Sequence, residues 1–142
     1  MRMIDQTVLP NRLSYVVYTT PEQVAHAIRT MVIRGAPAIG VAAAMGVALA
    51  ARRSKAADVP GLVRDLEASA SMLRSTRPTA VNLFWGVDRV MAKARSSPSV
   101  KRAKEELESE VKRMAKMGKE AIIAVIERRG EVIYYKVSKA RF

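Results

Sequence analysis

Two short segments combine residue types that could hold an anion: Arg34-Gly35-Ala36-Pro37 and Thr76-Arg77-Pro78-Thr79 each set an arginine just ahead of a point where a helix is expected to begin. The N–H groups of a helix's first turn have no partner within the helix, and the helix dipole adds partial positive charge there. A phosphate is therefore favoured at such a start, and a guanidinium beside it can add two parallel hydrogen bonds. Gly35 lets backbone approach a ligand closely, and Pro37 suits the first helical position because the donor it lacks has no use there. A plainer fate is open to both arginines, an ion pair with a neighbouring Asp or Glu or simple solvation.

Other chemistry is hard to assemble from this chain. It has no cysteine and one histidine, His26, so a thiol nucleophile, a thiolate site and a histidine metal site are all out of reach. No Ser/His/Asp set, paired-carboxylate motif or Walker loop is found. Gly35, Gly40 and Gly46 are too widely spaced for a dinucleotide fingerprint, and packing explains the last two better. Asp5 and Asp88 read as caps or ion-pair partners, and His26, off the apolar face of its helix, reads as a surface residue. No catalytic residue, metal or cofactor is expected.

The elements that must position the two arginines follow from periodicity and capping. Met3 to Asp5 and Leu13 to Thr19, separated by the turn-forming Leu9-Pro10-Asn11, read as a short antiparallel pair. Thr20-Pro21-Glu22-Gln23 carries the signature of a capped helix start, after which Val24, Ala27, Ile28 and Met31 share a face. From Gly35 to Ala51 the chain is uncharged and rich in Ala, Gly and Val. This run falls short of the ~18 apolar residues of a membrane span, and it suits the centre of a helical bundle. Beyond the breaker Asp58-Val59-Pro60-Gly61, Leu62, Leu66, Ala70 and Leu73, with Val63 and Ser69 flanking, mark a third helix that ends near Arg77-Pro78. A fourth is expected to start at Thr79 under its own hydroxyl cap, with Leu83, Val87 and Val90 on its apolar side and Phe84, Trp85 and Met91 widening the stripe. Ser96-Ser97-Pro98-Ser99 breaks it. The fifth and longest carries Val100, Ala103, Leu107, Val111, Met114, Gly118, Ala121, Ile122 and Val125 against a charged face taken to be solvated, until Gly130 closes it and Val132 to Val137 forms a last strand. The expected architecture is mainly α: a short antiparallel β pair, a bundle of about five helices and a short C-terminal strand, as one domain over 1–142.

Composition bounds the partners. A chain of 142 residues with 49% hydrophobic and 27% charged side chains is that of a folded globular domain. The formal net charge of +12 biases the surface toward phosphate-bearing partners. With aromatics at 5% and no basic run interleaved with them, the stacking platform expected of a single-strand binder is missing. Asp5 and Gln6 interrupt the opening segment before any signal-peptide core can form, and the absence of cysteine suits the cytoplasm.

Three long segments carry a resemblance. Ile4-Asp5-Gln6-Thr7 followed by Leu9-Pro10, then Met31 to Ala44 (MVIRGAPAIGVAAA), then Thr76 to Leu83 (TRPTAVNL), resemble in order and spacing the amino-terminal half of methylthioribose-1-phosphate isomerase. The RGAPAIG and TRPTAVNL runs look like that isomerase branch more than the related regulatory subunits of translation initiation factor 2B. The likeness spans Met1 to Arg95 strongly and fades through the fifth helix. It implies cofactor-free conversion of methylthioribose 1-phosphate, an aldose, to the ketose methylthioribulose 1-phosphate in methionine salvage. It further implies that Arg34, Gly35, Ala36 and Arg77 bind the phosphosugar. The family's catalytic cysteine and acid/base aspartate belong to a carboxy-terminal Rossmann-like domain, and neither has a counterpart among these residues.

Two readings of different class follow. One is the amino-terminal, substrate-binding part of such an isomerase, inactive alone because moving a proton between sugar carbons needs a positioned acid/base group. The other is a free-standing regulatory or binding module related to initiation factor 2B subunits. Under either, self-association or pairing with a complementary carboxy-terminal domain is expected, through apolar surface on the fifth helix and last strand. A third reading, nucleic-acid binding, rests on charge alone.

Overall fold

The computed structural model describes residues 1–129, with side chains to Met117. Strand β1 (Arg2–Ile4) pairs antiparallel with β2 (Tyr15–Val17) in the register Arg2 to Val17, Met3 to Val16 and Ile4 to Tyr15. A 3-10 turn, Gln6–Val8, intervenes. Five α-helices follow: α1 (Pro21–Arg29), α2 (Ala36–Arg53), α3 (Val59–Thr76), α4 (Val81–Ser96) and α5 (Val100–Arg129). The strands are shorter than expected because Asp5 leaves β1 to cap the 3-10 turn, its carboxylate accepting from Thr7 N at 2.9 Å and Thr7 Oγ1 at 2.6 Å. The expected strand at Val132 to Val137 and the outer part of the α5 stripe, Gly118 to Val125, lie outside the residues whose side chains are described.

Helix α2 is the core. It packs against α1, α3, α4 and α5, and Ala42 to Leu49 are all buried. By length and composition alone α2 could cross a membrane, but two thirds of it is covered by the other helices. Alanine and glycine let four neighbours approach one axis, since a small side chain adds little width and loses little rotamer entropy. Around it the expected stripes are buried: Val24, Ala27 and Ile28 of α1; Leu62, Leu66, Ala70 and Leu73 of α3; Leu83, Val87, Val90 and Met91 of α4; Ala103, Leu107, Val111 and Met114 of α5.

Ion pairs and packing give the relative sense of α2 to α5. Glu67 with Arg95, and Asp88 with Arg74, set α3 antiparallel to α4. Gly46 lies against Leu73, and Ser54 Oγ donates to Asp65 Oδ2 at 2.6 Å, so α3 is also antiparallel to α2. Helices α2 and α4 therefore run the same way. Helix α5 runs against both, tied by Lys104 Nζ to Ser54 O at 2.8 Å, by Arg52 with Glu108 at 3.5 Å, and by Arg89 with Glu110.

Five local features differ from expectation. Met31 does not continue the face of α1: the helix ends at Arg29, and Met31 takes a left-handed φ of 62° and is 46% exposed. Helix α3 starts inside the expected breaker, because Asp58 caps it by accepting from Gly61 N at 2.7 Å and Pro60 falls where no donor is needed. Helix α4 starts at Val81 under Ala80 with no side-chain cap, since residues 77–80 close a tight turn (Ala80 N to Arg77 O, 3.0 Å) that takes up Thr79. The charged face of α5 is not wholly solvated, for Glu110 is 3% exposed. Trp85, expected in the α4 stripe, is 44% exposed and lies beside the Arg89 guanidinium at 5.3 Å from its ring centre.

Candidate functional site

The two helix starts singled out in the sequence lie at one end of the bundle. The cause is a very close crossing of α2 and α4 near their first turns. A Cβ built on Gly40, the fifth residue of α2, would lie 2.5 Å from Asn82 O, and one on Gly86 would lie 2.2 Å from Gly40 O. Only glycine at both positions lets the backbones touch there. Because α2 and α4 point the same way, this contact places the starts at Ala36 and Val81 on the same side of the molecule, and it brings Asn82 of the TRPTAVNL run against Gly40 of the RGAPAIG run.

Capping separates these two helices from the rest. Thr20 caps α1 in a full capping box with Gln23, Asp58 caps α3, and Ser99 Oγ accepts from Arg102 N at 3.3 Å at the head of α5. Gly35 and Ala80, at the heads of α2 and α4, supply no side-chain cap. No side chain takes up the first-turn N–H groups of Ala36 and Ala38 or of Val81 and Asn82, whereas Leu83 N already donates to Ala80 O at 2.9 Å and Pro37 has no N–H; the positive ends of two dipoles lie nearby. Gly35 sits at φ 94°, a conformation that favours glycine, and a Cβ there would meet nothing within 4 Å, so the peptide faces open space. Ala36 is exposed beside it.

Arg52, Arg74, Arg89, Arg95, Arg102 and Arg113 all pair with carboxylates. Arg34 and Arg77 belong, with Arg2, Arg12, Arg29, Arg53 and Arg64, to the described arginines that form no ion pair with a carboxylate. Arg34 is exposed and donates from Nη2 to the carbonyl oxygen of Gln6 at 3.0 Å, a neutral acceptor that leaves its charge uncompensated. Half-buried Arg77 is the C-cap of α3, and its carbonyl closes the turn leading into α4. The Gln6 contact was not legible in the sequence: the partners are 28 residues apart, and Gln6 was singled out only as part of a motif.

Asp5 and Asp88, considered as caps or pair partners, are a cap and the partner of Arg74. The Asp5 carboxyl is held below its ordinary pKa by the Thr7 side-chain and backbone hydrogen bonds, with Arg12 assisting, so it is a charged acceptor and not a proton donor near neutrality. His26 is exposed on α1. Among the described residues no group of three or more His, Asp or Glu is arranged to hold a metal ion.

Comparison with known proteins places this arrangement. The chain is 54% identical over 94 residues to the methylthioribose-1-phosphate isomerase of Thermosynechococcus vestitus, covering 66% of this chain and 26% of that protein. It is 44% identical over 127 residues to the enzyme of the same name from Gloeobacter violaceus, covering 87% and 36%. Two crystal structures share its fold. One is translation initiation factor eIF-2B subunit delta from A. fulgidus, with a TM-score of 0.77 at 43% identity over 82% of this chain and 34% of that one. The other is 5-methylthioribose 1-phosphate isomerase from Pyrococcus horikoshii OT3, with a TM-score of 0.74 at 37% identity over 82% and 33%. The chain thus spans about a quarter to a third of the relatives' length. The family model described as the initiation factor 2 subunit family matches residues 32–136, which take in both arginine-led helix starts, and the chain belongs to that family.

Proposed function

We propose that this chain is the phosphosugar-binding, amino-terminal part of a methylthioribose-1-phosphate isomerase-like protein. Arg34, Gly35, Ala36 and Arg77 hold the phosphate at the uncapped starts of α2 and α4. The observation that carries this reading is the Gly40–Gly86 crossing, which gathers two helix starts without side-chain caps at one end of the bundle. Anion binding there draws on open N–H donors, two dipole ends and guanidinium charge that no carboxylate cancels. No base for the aldose-to-ketose proton transfer stands among the site residues, so binding and turnover separate: the chain alone binds and does not isomerise. The acid/base groups belong to a complementary carboxy-terminal domain. Methionine salvage in the cytoplasm, and a homo-oligomeric or two-part assembly, complete the proposal.

Titration of methylthioribose 1-phosphate into the purified chain, with unphosphorylated methylthioribose as control, tests it. Only the phosphorylated sugar should bind, and Arg34→Met and Arg77→Met should each weaken it by about tenfold or more, the worth of a charge-assisted hydrogen bond. Equal affinity for both sugars, or turnover by the chain alone, would contradict the proposal. The likeness to eIF-2B subunit delta supports a second reading, a regulatory binding module. A nucleotide bound in preference to the pentose phosphate, with the same two arginines required, would favour it.

A further inference from the structure

We infer that Gln6 is a positioning residue for the anion cradle at Arg34 and Gly35, holding the loop and the guanidinium in their binding geometry. This rests on the phosphate-binding reading above. Three hydrogen bonds carry it. The main-chain N–H of Gln6 donates to Val32 O at 2.9 Å, its side-chain Nε2 donates to Arg34 O at 3.2 Å, and its carbonyl accepts from Arg34 Nη2 at 3.0 Å. One residue thus clasps both ends of the Val32–Arg34 segment and the charged group it presents.

The clasped loop needs an external hold. It is entered through Met31 at φ 62° and left through Gly35 at φ 94°, two left-handed residues, the first of them non-glycine and disfavoured there. Gln6, by contrast, is anchored: Asp5 caps its 3-10 turn, Asp5 N donates to Ser14 O at 2.9 Å, and the strand before it is paired in the sheet. The chemistry of the clasp matters as much as its rigidity. A guanidinium has five N–H donors, and a neutral carbonyl occupying one of them orients the group without cancelling its charge. A carboxylate in the same place, as at Arg74 or Arg89, would compete with the incoming anion.

The test uses the full chain and sulfate, whose charge does not change over the working pH range. Gln6→Met removes only the Nε2 donor, since the two main-chain bonds remain; it should weaken sulfate binding by about 3- to 10-fold. Gln6→Glu, similar in shape, sets an acceptor against Arg34 O and a negative charge beside the guanidinium. It should bind more weakly than Gln6→Met at pH 7 and recover as pH falls toward the ordinary glutamate range, while wild type and Gln6→Met stay flat. Dispersion of the Arg34 Nε–H signal in nuclear magnetic resonance spectra should collapse in Gln6→Met. If wild type binds sulfate and Arg34→Met does not, yet both Gln6 variants bind like wild type at every pH, the role of Gln6 is refuted and the phosphate site stands. Wild type failing to bind sulfate overturns the site itself, and the Gln6 inference with it.

Discussion

Glu110 is a residue whose role depends on what surrounds it. It projects from α5 toward α4, is 3% exposed, and receives hydrogen bonds from Arg89 Nε and Arg113 Nη2. Burial by itself raises its carboxyl pKa; the two arginine hydrogen bonds and charges outweigh that, and the net direction is down. A carboxyl lowered on folding contributes stability that is present above its unfolded pKa of about 4.3 and is lost as pH falls through the lower folded value. Glu110→Gln should cost about 1–3 kcal/mol at pH 7, because the arginines are part-exposed and can rehydrate. Denaturant melts from pH 7 downward should show the wild-type advantage shrinking below about pH 4.3. A constant difference across that range would exclude the ion pairs as its cause. Local spacing marks Glu110 out from the other α5 charges, since it stands three residues after Leu107 and four before Met114, on the apolar stripe itself, but its charge assigns it to the face expected to be solvated.

At the scale of elements, the crossing of α2 and α4 decides the geometry of the site. A methyl group at Gly86 would meet the Gly40 carbonyl, a backbone atom that cannot rotate away. Gly86→Ala should therefore destabilise by about 1–3 kcal/mol through overpacking, even after the ~1 kcal/mol that alanine gains over glycine in a helix. Gly46→Ala is the control. Its methyl would meet side-chain atoms and no backbone, the tips of Leu73 at 3.0 and 3.2 Å and Val24 Cγ1 at 3.4 Å, which can yield, so the cost should be smaller or reversed. Gly86→Ala should also weaken phosphate binding by shifting the start of α4 relative to α2, whereas Gly46→Ala should not. Thermal unfolding and sulfate titration of both variants check this; equal behaviour would show that the crossing does not set the site. Helix existence, the buried stripes and the caps at Thr20 and Asp58 were legible because they depend on residues within a few positions of each other. The start of α4 was misplaced by two residues because a turn closed by Arg77 O competed with the Thr79 cap.

For the whole molecule, the apolar surface left open bears on its assembly. Val81 is 78% exposed, Trp85 44% and Met117 47%, so large apolar groups face water at the head of α4, one turn apart, and on α5. Burying such groups lowers free energy by roughly 25 cal/mol per Å² removed from water. The isolated chain should self-associate as concentration rises, and Val81→Lys with Trp85→Lys should suppress this while leaving the helical content unchanged. Sedimentation analysis showing a monomer throughout would count against any assembly through this face.

The sequence by itself determined the helical class, the all-round apolar nature of α2 and the family likeness, since periodicity, composition and long motifs are properties of neighbouring residues. It also singles out Arg34 and Arg77 as candidates for anion binding, the role proposed for them here, because a helix start is a local object. Tertiary structure alone decided that α2 and α4 point the same way and meet at Gly40 and Gly86, that both of their starts lack side-chain caps, and that Gln6 holds the Arg34 loop from 28 positions away. These depend on which helices pack together, and packing is fixed by the summed burial of many side chains over the whole chain, which no local pattern encodes.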